Sequence, residues 1–136
     1  MRKILILDDK MSRHNSYVAR MEETWGDDYA GIHVETAKMA ITIIRGLAGI
    51  EAFDFTFLDH DLHERDENRK CDGRGCGCEV ARFIVSTPEI RKACGTVIVH
   101  SFSEVMGQPM SAILGCEWRP GLWAEQEWKR WLAERR

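Results

Sequence analysis

Residues 4–9 read Ile-Leu-Ile-Leu-Asp-Asp: four consecutive apolar side chains that run straight into two acids. A short, β-branched run with no polar alternation suits a strand buried on both faces, the signature of a parallel sheet. The same sentence recurs along the chain. Phe53–Leu58 runs into Asp59 and Asp61, Thr96–Val99 runs into His100-Ser101, and a brief stretch at Cys116–Trp118 meets Arg119-Pro120. Gly31–Glu35 reads as a second, shorter strand.

Helical patterns lie between these runs. Ser12 is placed to cap a helix with His14, Tyr17, Val18, Met21 and Trp25 on its inner face. Thr36 is placed to cap another that gathers Ala37, Ala40, Ile41, Ile44, Leu47 and Ala48. Val80, Ala81, Ile84 and Val85 mark a third, which must stop near Pro88. Pro109 suits the first turn of a fourth carrying Met110, Ile113 and Leu114. The last presents Ala124, Trp128, Trp131 and Leu132. Five strands alternating with amphipathic helices predict an α/β fold, a flavodoxin-like parallel sheet of order 2-1-3-4-5 with helices on both faces. Residues 1–136 are expected to form one domain of this kind, interrupted by a long polar loop at about 60–78.

Composition narrows the function classes. With 44% hydrophobic residues the chain buries a core, and a net charge of -3 argues against a broad nucleic-acid-binding surface. No apolar run is long enough for a membrane span, and the N-terminus does not read as a signal peptide. Five cysteines, an odd number without framework spacing, point to the reducing cytoplasm.

In a sheet of this kind ligands bind beyond the carboxyl ends of the strands. Asp8, Asp9, Asp59, Asp61, His100, Ser101 and Arg119 all fall there. Clustered carboxylates repel one another, and a hard divalent cation, Mg²⁺ or Mn²⁺, held by Asp8, Asp9 and Asp59 relieves that repulsion. Such a cation shares the oxygens of a phosphoryl group, while Ser101 donates to another oxygen and the planar fork of Arg119 neutralises a third.

At these residues the sequence resembles the response-regulator receiver domains. ILILDDK, FTFLDHDL, VIVHS and WRP follow the receiver pattern along almost the whole chain. The resemblance makes Asp8 and Asp9 the acidic pair, Asp59 the phospho-acceptor, Ser101 the hydroxyl after strand four, and Arg119 the counterpart of the receiver lysine. A typical receiver has apolar residues where this chain has His60 and His100, lacks the equivalent of Asp61, and has a short loop after strand three. A receiver offshoot, the cyclic-phosphate processing receiver domains, is more similar. Its Asp-His-Asp-Leu, His-Ser and GxEVAR-like motifs are matched by Asp59–Leu62, His100-Ser101 and Gly77–Arg82. That resemblance implies processing of a cyclic phosphate, on a nucleotide or an RNA end.

An Asp-x-Asp at a strand end is also the arrangement of haloacid-dehalogenase-type phosphatases. Asp59 would then attack phosphorus while Asp61, His60 or His100 handles protons. Direct attack by a water activated at the cation, with Asp59 only a ligand, is the competing route. Two other classes remain open: a stand-alone signalling receiver phosphorylated on Asp59, and a non-catalytic binder of a cyclic nucleotide. Extra acid-base groups favour the enzyme, since a passive switch does not need them.

Cys71, Cys76 and Cys78, with His63 or His60, offer soft ligands for a zinc ion in the long loop, although their gaps are not the usual two-residue spacing. Arg69, Lys70 and Arg74 would let that loop attract an anionic substrate. Four of the five tryptophans lie from Trp118 onward. A tryptophan-rich last helix is a core face or a face for association with a second copy.

Overall fold

The computed structural model describes residues 1–59, 75–100, 104–118 and 125–134. The elements run β1 (Arg2–Leu7), α1 (Met11–Trp25), β2 (Tyr29–Val34), α2 (Ala37–Leu47), β3 (Phe55–Leu58), α3 (Gly77–Ile84), α4 (Pro88–Ala93), β4 (Thr96–Val99), α5 (Glu104–Leu114), β5 (Glu117–Trp118) and α6 (Glu125–Glu134). The strands form one sheet of order β2-β1-β3-β4-β5, all paired in parallel, with β5 only two residues long. This is the flavodoxin-like arrangement expected from the alternation of apolar runs and amphipathic helices.

Strand parity divides the core in two, because successive side chains leave opposite faces of a sheet. Leu5, Leu7, Leu58, Val97 and Val99 pack with α2, α3, α4 and α5 through Ala40, Ile44, Val80, Ile84, Ile90 and Met110. Ile4, Ile6, Phe55, Phe57 and Ile98 form the other face, against Tyr17 and Met21 of α1 and Trp131 of α6. Every residue from Ile4 to Leu7 is fully buried, which is why that run carries no polar alternation.

Two expectations about helix ends need correction. The N-cap of α1 is Lys10, not Ser12, and its side chain makes no capping bond; the turn is held instead by Asp8, whose Oδ1 accepts from the Lys10 N–H at 2.9 Å. Pro109 lies inside α5 rather than in its first turn. α3 does stop short of Pro88, at Ile84, and Pro88 itself opens α4, a helix not expected from the sequence, capped by Thr87, whose hydroxyl accepts from the Ile90 N–H at 3.2 Å. Thr36 does cap α2, accepting from the Met39 N–H at 3.1 Å. α3 begins at Gly77 and carries the Gly77–Arg82 stretch. Among the described residues no helix is long and apolar enough to cross a membrane.

Candidate active site

Three chain segments bring their polar ends to one edge of the sheet. The N–H of Asp8 donates to Val34 O at 3.0 Å, that of Asp59 to Leu7 O at 3.0 Å, and that of His100 to Leu58 O at 2.9 Å. Each residue therefore extends its strand by one step, beside the last residue of a neighbour. Counting by twos from Ile6, Phe57 and Ile98 puts Asp8, Asp59 and His100 on the α1 face. Asp8 and Asp59 are nearly inaccessible, at 0% and 3% exposure. With Asp9 they place one carboxylate oxygen each within 4.8 Å of one another, the one cluster of three potential metal ligands among the described residues.

The first turns of α1 supply the cation that makes this burial tolerable. Arg13 Nε lies 2.7 Å from Asp8 Oδ2, and its Nη2 lies 3.2 Å from Asp59 Oδ2 and 3.6 Å from Asp9 Oδ1. Burial works to lower the Arg13 pKa. The hydrogen bond to Asp8 and the charges of Asp8, Asp59 and Asp9 overcome it and raise the value above the ordinary one. The sequence reading did not single out Arg13. Its only signal was position, four residues after Asp9 on the helix that follows the acid pair.

His100 forms the floor of the cluster. Its Nε2 is 3.3 Å from Leu7 O, so that nitrogen carries the proton, since a carbonyl only accepts. Its Nδ1 is then the acceptor for the Tyr17 hydroxyl at 2.7 Å, and lies 3.9 Å from Asp8 Oδ2. Burial pushes the His100 pKa down to about 4, against the pull of Asp8 and Leu7 O toward the charged form. Burial, with the charges of Asp8 and Asp59, lifts the Tyr17 hydroxyl well above its ordinary value. Tyr17 reads in the sequence as a core residue only; its polar end is the part that periodicity does not display.

The structure thus brings together Asp8, Asp9, Asp59 and His100. His60, Asp61, Ser101 and Arg119 lie outside the described residues, as do Cys71 and His63. Cys76 and Cys78 are buried in the core with Val80 and Ala81, and zinc has no support among the described residues. The acid triad offers only hard oxygen donors, the set a magnesium ion takes, and a guanidinium already stands where positive charge is wanted.

A sequence profile for the cyclic-phosphate processing receiver domain matches residues 3–115. Among curated proteins none matches the chain significantly. Solved structures show the same fold. The receiver domain of a LuxO-type repressor from Vibrio parahaemolyticus aligns with TM-score 0.69 at 18% identity, covering 98% of this chain and 89% of that one. A CheY-like receiver domain from Methylobacillus flagellatus gives 0.70 at 11% identity, covering 98% of each. The receiver domain of a sensor histidine kinase from Pseudomonas aeruginosa, which holds a magnesium ion in its active-site cleft, gives 0.68 at 16% identity over 98% and 95%. With the profile matching residues 3–115, from β1 through β4 and α5, this chain belongs to the cyclic-phosphate processing receiver domain family.

Proposed function

We propose that the chain is a divalent-cation-dependent phosphoesterase that opens a cyclic phosphate on a nucleotide or an RNA end. One observation carries this reading: the oxygens of Asp8, Asp9 and Asp59 converge at the carboxyl edge of the sheet in a member of this family. A divalent cation on that triad, Mg²⁺ or Mn²⁺, supplies positive charge for the non-bridging oxygens of the phosphate.

The protein's own residues divide the remaining work. An Asp59 oxygen forms a bond to phosphorus as the bond from phosphorus to one ring oxygen breaks. That oxygen takes a proton from Asp61 or His60 and leaves as a hydroxyl. Water then attacks the same phosphorus, the bond to Asp59 breaks, and the proton lost by the water restores the acid. The sum is one cyclic diester plus one water giving one monoester, with Asp59 regenerated. Ser101 and Arg119 stabilise the charge on the pentacoordinate phosphorus. His100, buried and engaged through both ring nitrogens, supports Asp8 from below, so its effect on turnover comes through the position of that carboxylate.

A signalling receiver phosphorylated on Asp59 is the second reading. The observation that favours it is the same buried His100, a ring whose two nitrogens are both engaged within the protein and which is therefore not placed to protonate a substrate. Phosphorus NMR of the protein with Mg²⁺ and a panel of cyclic phosphates, 2′,3′-cyclic nucleotides included, separates the two. We expect a cyclic phosphate to become a monoester with wild type and not with Asp59→Asn. An acyl-phosphate signal on adding acetyl phosphate, with no turnover of any cyclic phosphate, would make the chain a switch. Binding without product would make it a sequestering protein.

A further inference from the structure

Arg13 stands in an unfavourable place for a cation on its own helix. With Lys10 as N-cap it is the third residue of α1, where the macrodipole is positive, and no acid occupies that first turn to offset it. Its side chain is nonetheless 16% exposed and turned into the acid triad. The carboxylates, not the helix, determine where it sits.

Asp8 shows what this placement does to a second cation. One of its oxygens, Oδ1, is committed to the Lys10 N–H that shapes the turn into α1. The other, Oδ2, is the one that Arg13 Nε holds at 2.7 Å. Asp59 likewise presents Oδ2 to Arg13 Nη2 at 3.2 Å. A magnesium ion requires oxygen ligands at about 2.1 Å in near-octahedral geometry, and it repels a guanidinium held against those same oxygens. The two cations draw on one set of atoms.

We propose that Arg13 is an internal counter-cation that holds the acid triad in the cation-free chain, leaves it when a divalent cation binds, and then turns its fork to the oxygens of the phosphoryl group. This rests on the reading of Asp8, Asp9 and Asp59 as a divalent-cation site. A guanidinium bonds carboxylate and phosphate through the same planar geometry, so the residue released from one is matched to the other. The chain then couples the two ligands: the cation alone must displace Arg13, whereas cation and phosphate together give it a new partner. Cation binding is weak until substrate arrives, and each ligand strengthens the other.

Calorimetric titration with MgCl₂ of metal-stripped wild type, Arg13→Ala and Arg13→Lys tests the competition. We expect Arg13→Ala to bind Mg²⁺ about tenfold more tightly than wild type. Arg13→Lys should fall between them, because a single ammonium cannot bridge Asp8 and Asp59 as the fork does. With Mg²⁺ saturating, the order should reverse for beryllium trifluoride, a phosphoryl mimic, with Arg13→Ala about tenfold weaker. Should Arg13→Ala not fold without cation, Arg13→Lys carries the comparison. Equal or weaker Mg²⁺ affinity in the variants than in wild type overturns the proposal while leaving the cation site standing. No Mg²⁺ binding by any of the three proteins at millimolar concentration overturns the cation site itself, and the competition with it.

Discussion

His100 is neutral because its surroundings leave no room for a charge: Tyr17 donates to one ring nitrogen, and Leu7 O accepts from the other. With a folded pKa of about 4, below the ordinary value of 6.5, the folded state refuses a proton that the unfolded chain accepts. Above pH 6.5 both states carry the neutral ring and stability is complete. As pH falls from 6.5 toward 4 stability is lost, by an amount on the order of 3 kcal/mol. Urea unfolding at pH 7.5 and pH 5, in EDTA, should show this loss in wild type and not in His100→Gln; an equal loss in both would remove His100 as its cause. Tyr17→Phe takes away the donor to a buried nitrogen. It should cost about 1–3 kcal/mol at pH 7.5, read from the same urea transitions. The carboxylates and His100 were legible as residues because a polar group that ends an apolar strand stands out. Arg13 and Tyr17 were not, since each sits within a helical pattern that already accounts for it.

Elements were legible where one side chain does one job. Thr36 caps α2 as expected, and the apolar runs placed all five strands to within about two residues, β1 needing two more at its start. Proline was ambiguous for a physical reason. It tolerates the first turn of a helix and weakens an interior by removing one donor, so Pro88 and Pro109 allow opposite readings until tertiary packing decides. Gly95 is an element-scale constraint that no pattern revealed. It has φ +64°, and a Cβ there would lie 2.1 Å from Phe53 O and 2.6 Å from Asp54 O. The close approach sets the entrance of β4 beside β3, where Thr96 N–H donates to Asp54 O at 3.0 Å. Gly95→Ala combines an unfavourable dihedral with a backbone clash. It should destabilise by at least about 2–3 kcal/mol, measured by thermal unfolding. A change within about 0.5 kcal/mol would show that the two strand ends can separate without loss.

At the scale of the molecule, one face of the sheet depends on a helix beyond the family match. The profile ends at residue 115, yet Trp131 of α6 is 2% exposed and packs its ring 5.3 Å from Phe55 and 6.4 Å from Phe57, centroid to centroid. The expectation of a core role for the tryptophan-rich last helix holds at this residue. Trp131→Ala should cost about 3–5 kcal/mol and expose the aromatic cluster beneath it, read as a lowered urea midpoint. The same core cluster includes Tyr17, whose hydroxyl meets His100 at the floor of the acid triad.

The most direct measurement is a crystal structure grown with Mg²⁺ and beryllium trifluoride. We predict a cation bound by Asp8, Asp9 and Asp59, the phosphoryl mimic on Asp59, and Arg13 moved from the carboxylates to the mimic. Arg13 still bridging Asp8 and Asp59 at saturating Mg²⁺, with no cation between the three acids, would contradict the assignment of this edge as a phosphoryl-processing site.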